Sequence, residues 1–169
     1  MKRLFFALWP ANETRNQLDY LNQSIKSADL KKVKRNNLHV TLVFLGHVDD
    51  KAEAEIKQKA DRISIQPFTL CFDQLTFWKK PKILCLTTQQ YDSQLIKLVN
   101  ALNTMVEQCG IKGDKQSYHP HVTLARKASK SIVLDIEPIH WQAQSFCLLE
   151  SCSTPDGVVY QLVQQWKLS

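Results

Sequence analysis

The sequence predicts an α+β fold, and three observations carry that prediction. Segments with strand-like alternation are interspersed with segments of helical spacing, without the strict βαβα order of a parallel sheet. No stretch rich in Pro, Gly or Ser divides the 169 residues, which contain only 4 glycines, so one domain over residues 1–169 is expected. The tetrapeptide His-Val-Thr-Leu occurs twice, at residues 39–42 and 121–124, nearly half the chain apart. That repeat points to two pseudo-symmetric lobes, with antiparallel sheets lining a central cleft and helices on the outer faces.

The elements follow in order. Lys2 to Trp9 reads as a strand that stops at Pro10. Asn12 is a candidate cap for a helix running to about Ser27, with Leu18, Leu21, Ile25 and Ala28 on one face. Leu38 to Leu45 alternates as a strand. Asp50 followed by Glu53 fits a capping box, and Ala52, Ile56, Ala60 and Ile63 give the helix after it a buried stripe. Phe68 to Phe72 and Ile83 to Thr87 read as strands, with a basic loop at Lys79-Lys80-Pro81-Lys82 before the second. Ser93 to Cys109 has the most regular helical spacing, through Leu95, Val99, Leu102, Met105 and Val106, and Gly110 is placed to end it. His121 to Arg126 reads as a strand. Ser145 to Ser151 and Val158 to Trp166 read as a hairpin closed through Pro155-Asp156-Gly157.

Composition narrows the function classes. With 44% hydrophobic and 22% charged residues, the chain can bury a core and is not disordered. It has no apolar run of about 18 residues, the length a membrane-crossing helix needs. The run from Leu4 to Trp9 is too short for a signal peptide. Five cysteines, an odd number with no Cys-x-x-Cys pair, read as reduced thiols, and a cytoplasmic location is expected. The formal charge of +6 favours anionic partners.

On a strand, His39 and Thr41 project to one face while Val40 and Leu42 project to the other. The same holds at His121 and Thr123. Two such strands facing each other supply two imidazoles and two hydroxyls around one cavity, a set suited to a phosphodiester. One neutral imidazole can take a proton from an attacking water and one protonated imidazole can give a proton to the leaving oxygen. The hydroxyls can hold the charge that develops on the non-bridging oxygens. This scheme needs no metal or other cofactor. A lone His-x-Thr on a strand is usually sheet surface, but two identical copies in a chain with five histidines favour the active-site reading.

The paired motifs resemble those of the two-histidine phosphoesterases. Within that superfamily the chain is similar to the bacterial and archaeal RNA 2′,3′-cyclic phosphodiesterases, also called the LigT or 2′-5′ RNA ligase family. The similarity runs through Arg3-Leu4-Phe5-Phe6-Ala7-Leu8, Asn37 to Gly46, His119-Pro120-His121-Val122-Thr123-Leu124-Ala125-Arg126, Glu150-Ser151, Gly157, Tyr160 and Trp166. The resemblance implies a bilobal fold and hydrolysis of a terminal RNA 2′,3′-cyclic phosphate to a 2′-phosphomonoester, with tRNA fragments among the RNAs it suggests. It implies that His39 donates the proton, that His121 accepts one, and that Thr41 and Thr123 bind phosphate. Joining of RNA ends in a 2′-5′ linkage is the same chemistry reversed. A monomer is expected. Other phosphodiesters, such as 2′-5′ oligonucleotides or nucleotide cyclic phosphates, and a non-catalytic RNA-binding module are the alternatives.

The remaining candidates are weighed singly. Arg126 sits where the family has a basic residue near phosphate, but strict alternation puts it on the face opposite His121. It reaches the site only if the strand bends near Ala125. His119 precedes His121 by two residues, lacks a threonine partner, and with His39 could imitate a three-histidine zinc site. Tyr118 and Phe44 flank the motifs as candidates for stacking on a base, although Phe44 alternates with Val40 and Leu42 and so is expected in the core. Lys31-Lys32-Val33-Lys34-Arg35, and Lys79 to Lys82 beside Phe77 and Trp78, are either solvated lysines or contacts for an RNA backbone. His47 and His140 are expected on the surface.

Overall fold

The computed structural model describes residues 1–113 and 116–169. The elements among them are β1 (Lys2–Leu8), α1 (Asn12–Ser24), β2 (Lys31–Lys32), a 3₁₀ turn (Arg35–Asn37), β3 (Val40–Val48), α2 (Asp50–Ala60), β4 (Phe68–Phe72), β5 (Gln74–Trp78), β6 (Ile83–Thr87), α3 (Ser93–Gln108), β7 (His121–Arg126), β8 (Ile139–Ala143), β9 (Ser145–Thr154) and β10 (Gly157–Lys167). The main sheet runs β10-β9-β1-β3-β7-β6-β5, with β2 added alongside β7, and β4 pairs separately with β8. All of these pairings are antiparallel. The α+β expectation holds.

The two lobes are wings of this one sheet. One wing is β10-β9-β1-β3 and the other is β7-β6-β5. Seven registered pairs join β1 to β3, whereas β3 and β7 share only Val40↔Val122. That pair is the valine of each tetrapeptide, so the seam between the wings passes through both motifs.

One face of the sheet carries the core. Leu4, Phe6 and Leu8 of β1, Val40, Leu42, Val43 and Leu45 of β3, Leu84 and Leu86 of β6, and Val122 and Leu124 of β7 are buried in a single cluster. Leu18 and Leu21 of α1, Ile56 and Ala60 of α2, and Leu95, Leu98, Leu102 and Met105 of α3 belong to the same cluster. The helices therefore cover the outer face through their apolar stripes. On the opposite face, Phe5 and Ala7 pack with Cys147 and Leu149 in a smaller cluster of their own.

Several local expectations change. The α1 helix is preceded by Ala11 with no side-chain cap, and Asn12 is its first helical residue. The helix ends at Ser24 rather than Ser27. Its buried face includes Arg15, whose guanidinium donates to the carbonyls of Pro10 and Arg35. Asp49, not Asp50, caps α2 by accepting from the Ala52 amide. Glu53 instead turns to Lys2 at 2.8 Å and to Lys57, and these two amines hold its carboxyl below the usual range. Phe44 is 59% exposed, not in the core. Sequence reasoning misses β2, β5 and β8. No helix is long and apolar enough to cross a membrane among the described residues.

Candidate active site

The placement of Phe44 and Arg126 has a common cause. Along β3 the register passes from Ala7↔Thr41 to Phe6↔Val43, so Leu42 is an extra residue without a partner on β1. Along β7 it passes from Cys85↔Thr123 to Leu84↔Ala125, so Leu124 is extra in the same way. A bulge of this kind resets alternation beyond it. Val40, Leu42 and Val43 are buried and Phe44 emerges; Val122, Leu124 and Ala125 are buried and Arg126 emerges. The repeat is thus longer than four residues. Each copy contributes a histidine, a threonine, a bulge at its leucine, and one more residue to the open face, Phe44 in one wing and Arg126 in the other. Arg126 reaches the face of His121 by the bend that strict alternation does not contain.

The two imidazoles are fixed by equivalent bonds. His39 Nδ1 lies 2.7 Å from the Asn37 carbonyl and His121 Nδ1 lies 2.9 Å from the His119 carbonyl, each two residues back. A carbonyl only accepts, so Nδ1 carries the proton in both rings and Nε2 is left for the open face. At His39, Nε2 is 2.9 Å from Thr41 Oγ1, which confirms that the two side chains lie side by side. In the neutral ring the Thr41 hydroxyl donates to Nε2.

The walls differ. His39 sits among Phe5, Trp9 and Tyr160, at centroid separations of 5.2, 6.5 and 4.9 Å, with Tyr160 edge-on. His121 has Trp78 at 4.6 Å. Burial holds the His39 imidazole down at about 4; the Asn37 carbonyl opposes this, and the charges of His121, Arg126 and Arg15 add to it. Burial also lowers His121, again opposed by its carbonyl partner and assisted by His119 and Arg126. Both rings are therefore neutral near pH 7 in the free protein. Arg126 influences both, which puts one fixed cation within electrostatic range of each histidine.

Tyr118 spans the seam. Its hydroxyl donates to the Thr41 carbonyl at 2.9 Å, linking the segment before β7 to β3. Burial pushes its phenol up, so it is a neutral donor. A cavity of about 200 Å³ opens here, lined by Thr41, Phe44, Trp78, Tyr118, His119 and His121 among others. His39, Thr123 and Arg126 do not line it and lie along the adjoining sheet face. His119 contributes its carbonyl to His121 and its ring to the cavity wall.

Among the described residues no three His, Cys, Asp or Glu side chains group as metal ligands, so the His39, His119 and His121 triad is not assembled. Cys85, opposite Thr123, and Cys147 are buried thiols pushed up to about 12, which makes them poor nucleophiles. Asn37 is the residue that sequence reasoning missed. Its amide donates to the Val158 carbonyl at 2.7 Å and accepts from the Tyr160 amide at 3.2 Å, while its backbone holds His39. More than 100 residues separate these partners, so no local pattern announces the contact.

Comparison with known proteins agrees with this layout. Residues 11–152 match the family model described as the 2′-5′ RNA ligase superfamily. The RNA 2′,3′-cyclic phosphodiesterase of Escherichia coli K12 is 29% identical, over 99% of this chain and 97% of that protein. The RNA 2′,3′-cyclic phosphodiesterase of Methanocaldococcus jannaschii is 26% identical, over 97% of this chain and 99% of that one. The crystal structure of E. coli LigT in apo form superposes with a TM-score of 0.90 at 29% identity, covering 99% of this chain and 98% of that one. E. coli LigT has also been crystallised with 3′-AMP. With a family match over most of its length and a shared fold that brings the two repeated motifs onto one face, the chain belongs to the 2′-5′ RNA ligase superfamily.

Proposed function

We propose that the protein hydrolyses RNA 2′,3′-cyclic phosphate ends to 2′-phosphomonoesters, with His39 as acid and His121 as base. The observation that carries this reading is the duplicated geometry: two histidines with the same Nδ1–H···O=C anchor, each beside a threonine, on one sheet face under the influence of Arg126. Water attacks phosphorus while His121 Nε2 removes its proton. The bond from phosphorus to the ribose 3′ oxygen breaks, and His39 Nε2–H protonates that oxygen. Thr41, Thr123 and Arg126 hold the non-bridging oxygens, where negative charge builds. Tyr118 keeps Thr41 in place across the seam. The turnover leaves His121 protonated and His39 neutral, so exchange with solvent resets the pair. The free protein holds both rings neutral, so the substrate's phosphate anion itself supplies the field that charges His39.

The division of roles between the histidines and the 2′ position of the product phosphate come from the family resemblance. The named activity of the E. coli and M. jannaschii relatives supports the substrate. Ligation to a 2′-5′ linkage uses the same steps with an RNA 5′ hydroxyl in place of water, run toward synthesis or cleavage. A cytoplasmic monomer acting on such RNA ends, tRNA fragments included, completes the reading.

The test is incubation with an RNA ending in a 2′,3′-cyclic phosphate in excess EDTA, with the product phosphate located by its resistance to a 3′-specific phosphatase. A 2′-phosphate formed at an undiminished rate is expected, and abolition by the chelator would overturn the metal-free scheme. His39→Ala and His121→Ala are each expected to lose about 10³-fold in kcat while keeping the fold.

A further inference from the structure

The two lysine-rich runs lie 44 or more positions apart in sequence, yet the sheet brings them to the same place. Lys31 pairs with Arg126 on one edge of β7, and Ile83, directly after Lys82, pairs with Arg126 on the other. Directly opposed residues on neighbouring strands project to the same face, so Lys31 accompanies Arg126 on the open side. Lys82 and Lys127 close this end of the β6–β7 pair, both in left-handed backbone (φ 65° and 59°), and the Ala128 amide donates to the Lys82 carbonyl at 3.0 Å. Left-handed lysines are uncommon and cluster where the surrounding structure holds them for a purpose. Lys31, Lys79, Lys80, Lys82, Arg126 and Lys127 are all exposed.

None of these six cations has a carboxylate partner within 4.0 Å among the described residues; the ion pairs there involve Lys2, Lys57 and Lys59. Asp29, two residues before Lys31, is the nearest acid in sequence and makes no such pair. Lys32, on the alternate face, turns away to the Gln23 carbonyl, and Lys34 to the Asp156 carbonyl. The result is an unneutralised basic rim that begins at Arg126, inside the site, and continues outward on both sides of β7.

We propose that this rim is a track for the RNA backbone leading to the reacting phosphate. Resting on the function proposed above, it assigns to Lys31, Lys79, Lys80, Lys82 and Lys127 the nucleotides that precede the cyclic end, a contact that a mononucleotide cyclic phosphate does not reach. Unpaired cations along a rim bind successive phosphates by releasing counterions, at a cost in salt sensitivity of ~0.7 log–log units per phosphate for a single strand.

The experiment compares kcat/KM for a ten-nucleotide RNA ending in a 2′,3′-cyclic phosphate with that for 2′,3′-cyclic AMP, between 50 and 200 mM salt. The wild-type protein is set against Lys31→Ala/Lys79→Ala/Lys80→Ala/Lys82→Ala and the matching four-fold lysine-to-arginine variant. For the oligonucleotide, the alanine variant is expected to lose about tenfold at low salt and to flatten the salt slope by ~2 or more. The arginine variant restores both, and the cyclic mononucleotide changes less than twofold throughout. An unchanged oligonucleotide rate, or equal losses on both substrates, would overturn the track. Fluorescence anisotropy with the same oligonucleotide carrying a 2′-phosphate end reads the track without turnover. If the wild type turns over neither substrate, the proposed activity fails, and the track then stands or falls on whether the alanine variant weakens that binding about tenfold.

Discussion

His39 is a titratable ring set into an aromatic wall, and that placement has a measurable cost. Its folded-state value of about 4 lies below the ordinary 6.5 because Phe5, Trp9 and Tyr160 surround it and nearby cations oppose its charging. Protonation therefore favours the unfolded chain. The associated stability is fully present above pH 6.5 and is lost as pH falls toward 4. At pH 5 the deficit is ~2 kcal/mol, from 1.36 kcal/mol per unit. Urea denaturation at pH 7 and pH 5 checks this: His39→Gln is expected to lose ~2 kcal/mol less than wild type over that interval. An identical pH sensitivity in the two proteins would place the ring in water instead. The four motif residues were legible because chemistry and alternation are both local. The aromatic wall was not, because Phe5 and Tyr160 reach His39 only through β1 and β10, strands that pair through β9.

At the scale of elements, the bulges decide which residues emerge on the open face, and the seam decides how far apart the motifs stand. A leucine with no partner gives no sequence signal, since Leu42 and Leu124 look like ordinary core anchors. That is why alternation mistakes Phe44 for core and leaves Arg126 on the wrong face. Other misses have simpler causes. All five residues of β5 are half-buried, so no sharp alternation marks it, whereas β8, Ile139-His140-Trp141-Gln142-Ala143, alternates fully and was missed because so short a run carries little signal. The β6 and β7 bounds and the α3 start were legible, the last from its long regular apolar stripe, and the structure adds Asp92 as its cap. Across the seam the single Val40↔Val122 pairing is supplemented by Tyr118, whose hydroxyl holds the Thr41 carbonyl. Tyr118→Phe removes that bond and leaves the carbonyl without its side-chain donor, a loss of ~1–2 kcal/mol in stability. The displacement of Thr41 is expected to lower kcat several-fold while the fold is retained. Thermal melting together with steady-state kinetics distinguishes this from a purely structural contact, which would lower the melting temperature and leave kcat unchanged.

At the scale of the whole molecule, a net charge of +6 and a site walled by aromatic rings on the open face of the sheet act in the same direction on both histidines. Each favours the neutral ring in the free protein, and the proposed chemistry needs one ring charged. The productive form, with one proton shared by the pair, is thus most populated on the acid side of neutrality, and its macroscopic values belong to the pair. The pH dependence of kcat/KM reports the free protein. It is expected to peak below pH 6.5 and to fall about tenfold per unit as pH rises beyond that, as the last proton leaves the pair. The kcat profile reports the bound complex, where the phosphate anion stabilises the charged ring, so its alkaline limb lies at higher pH. Arg126→Gln removes a cation that lowers both rings and is expected to move the kcat/KM limb upward, even as the rate itself falls by about 10²-fold through loss of the phosphate contact. A kcat/KM that is level from pH 6.5 to 8, or a limb unmoved in Arg126→Gln, would show that the protein's field does not set the proton inventory of the pair.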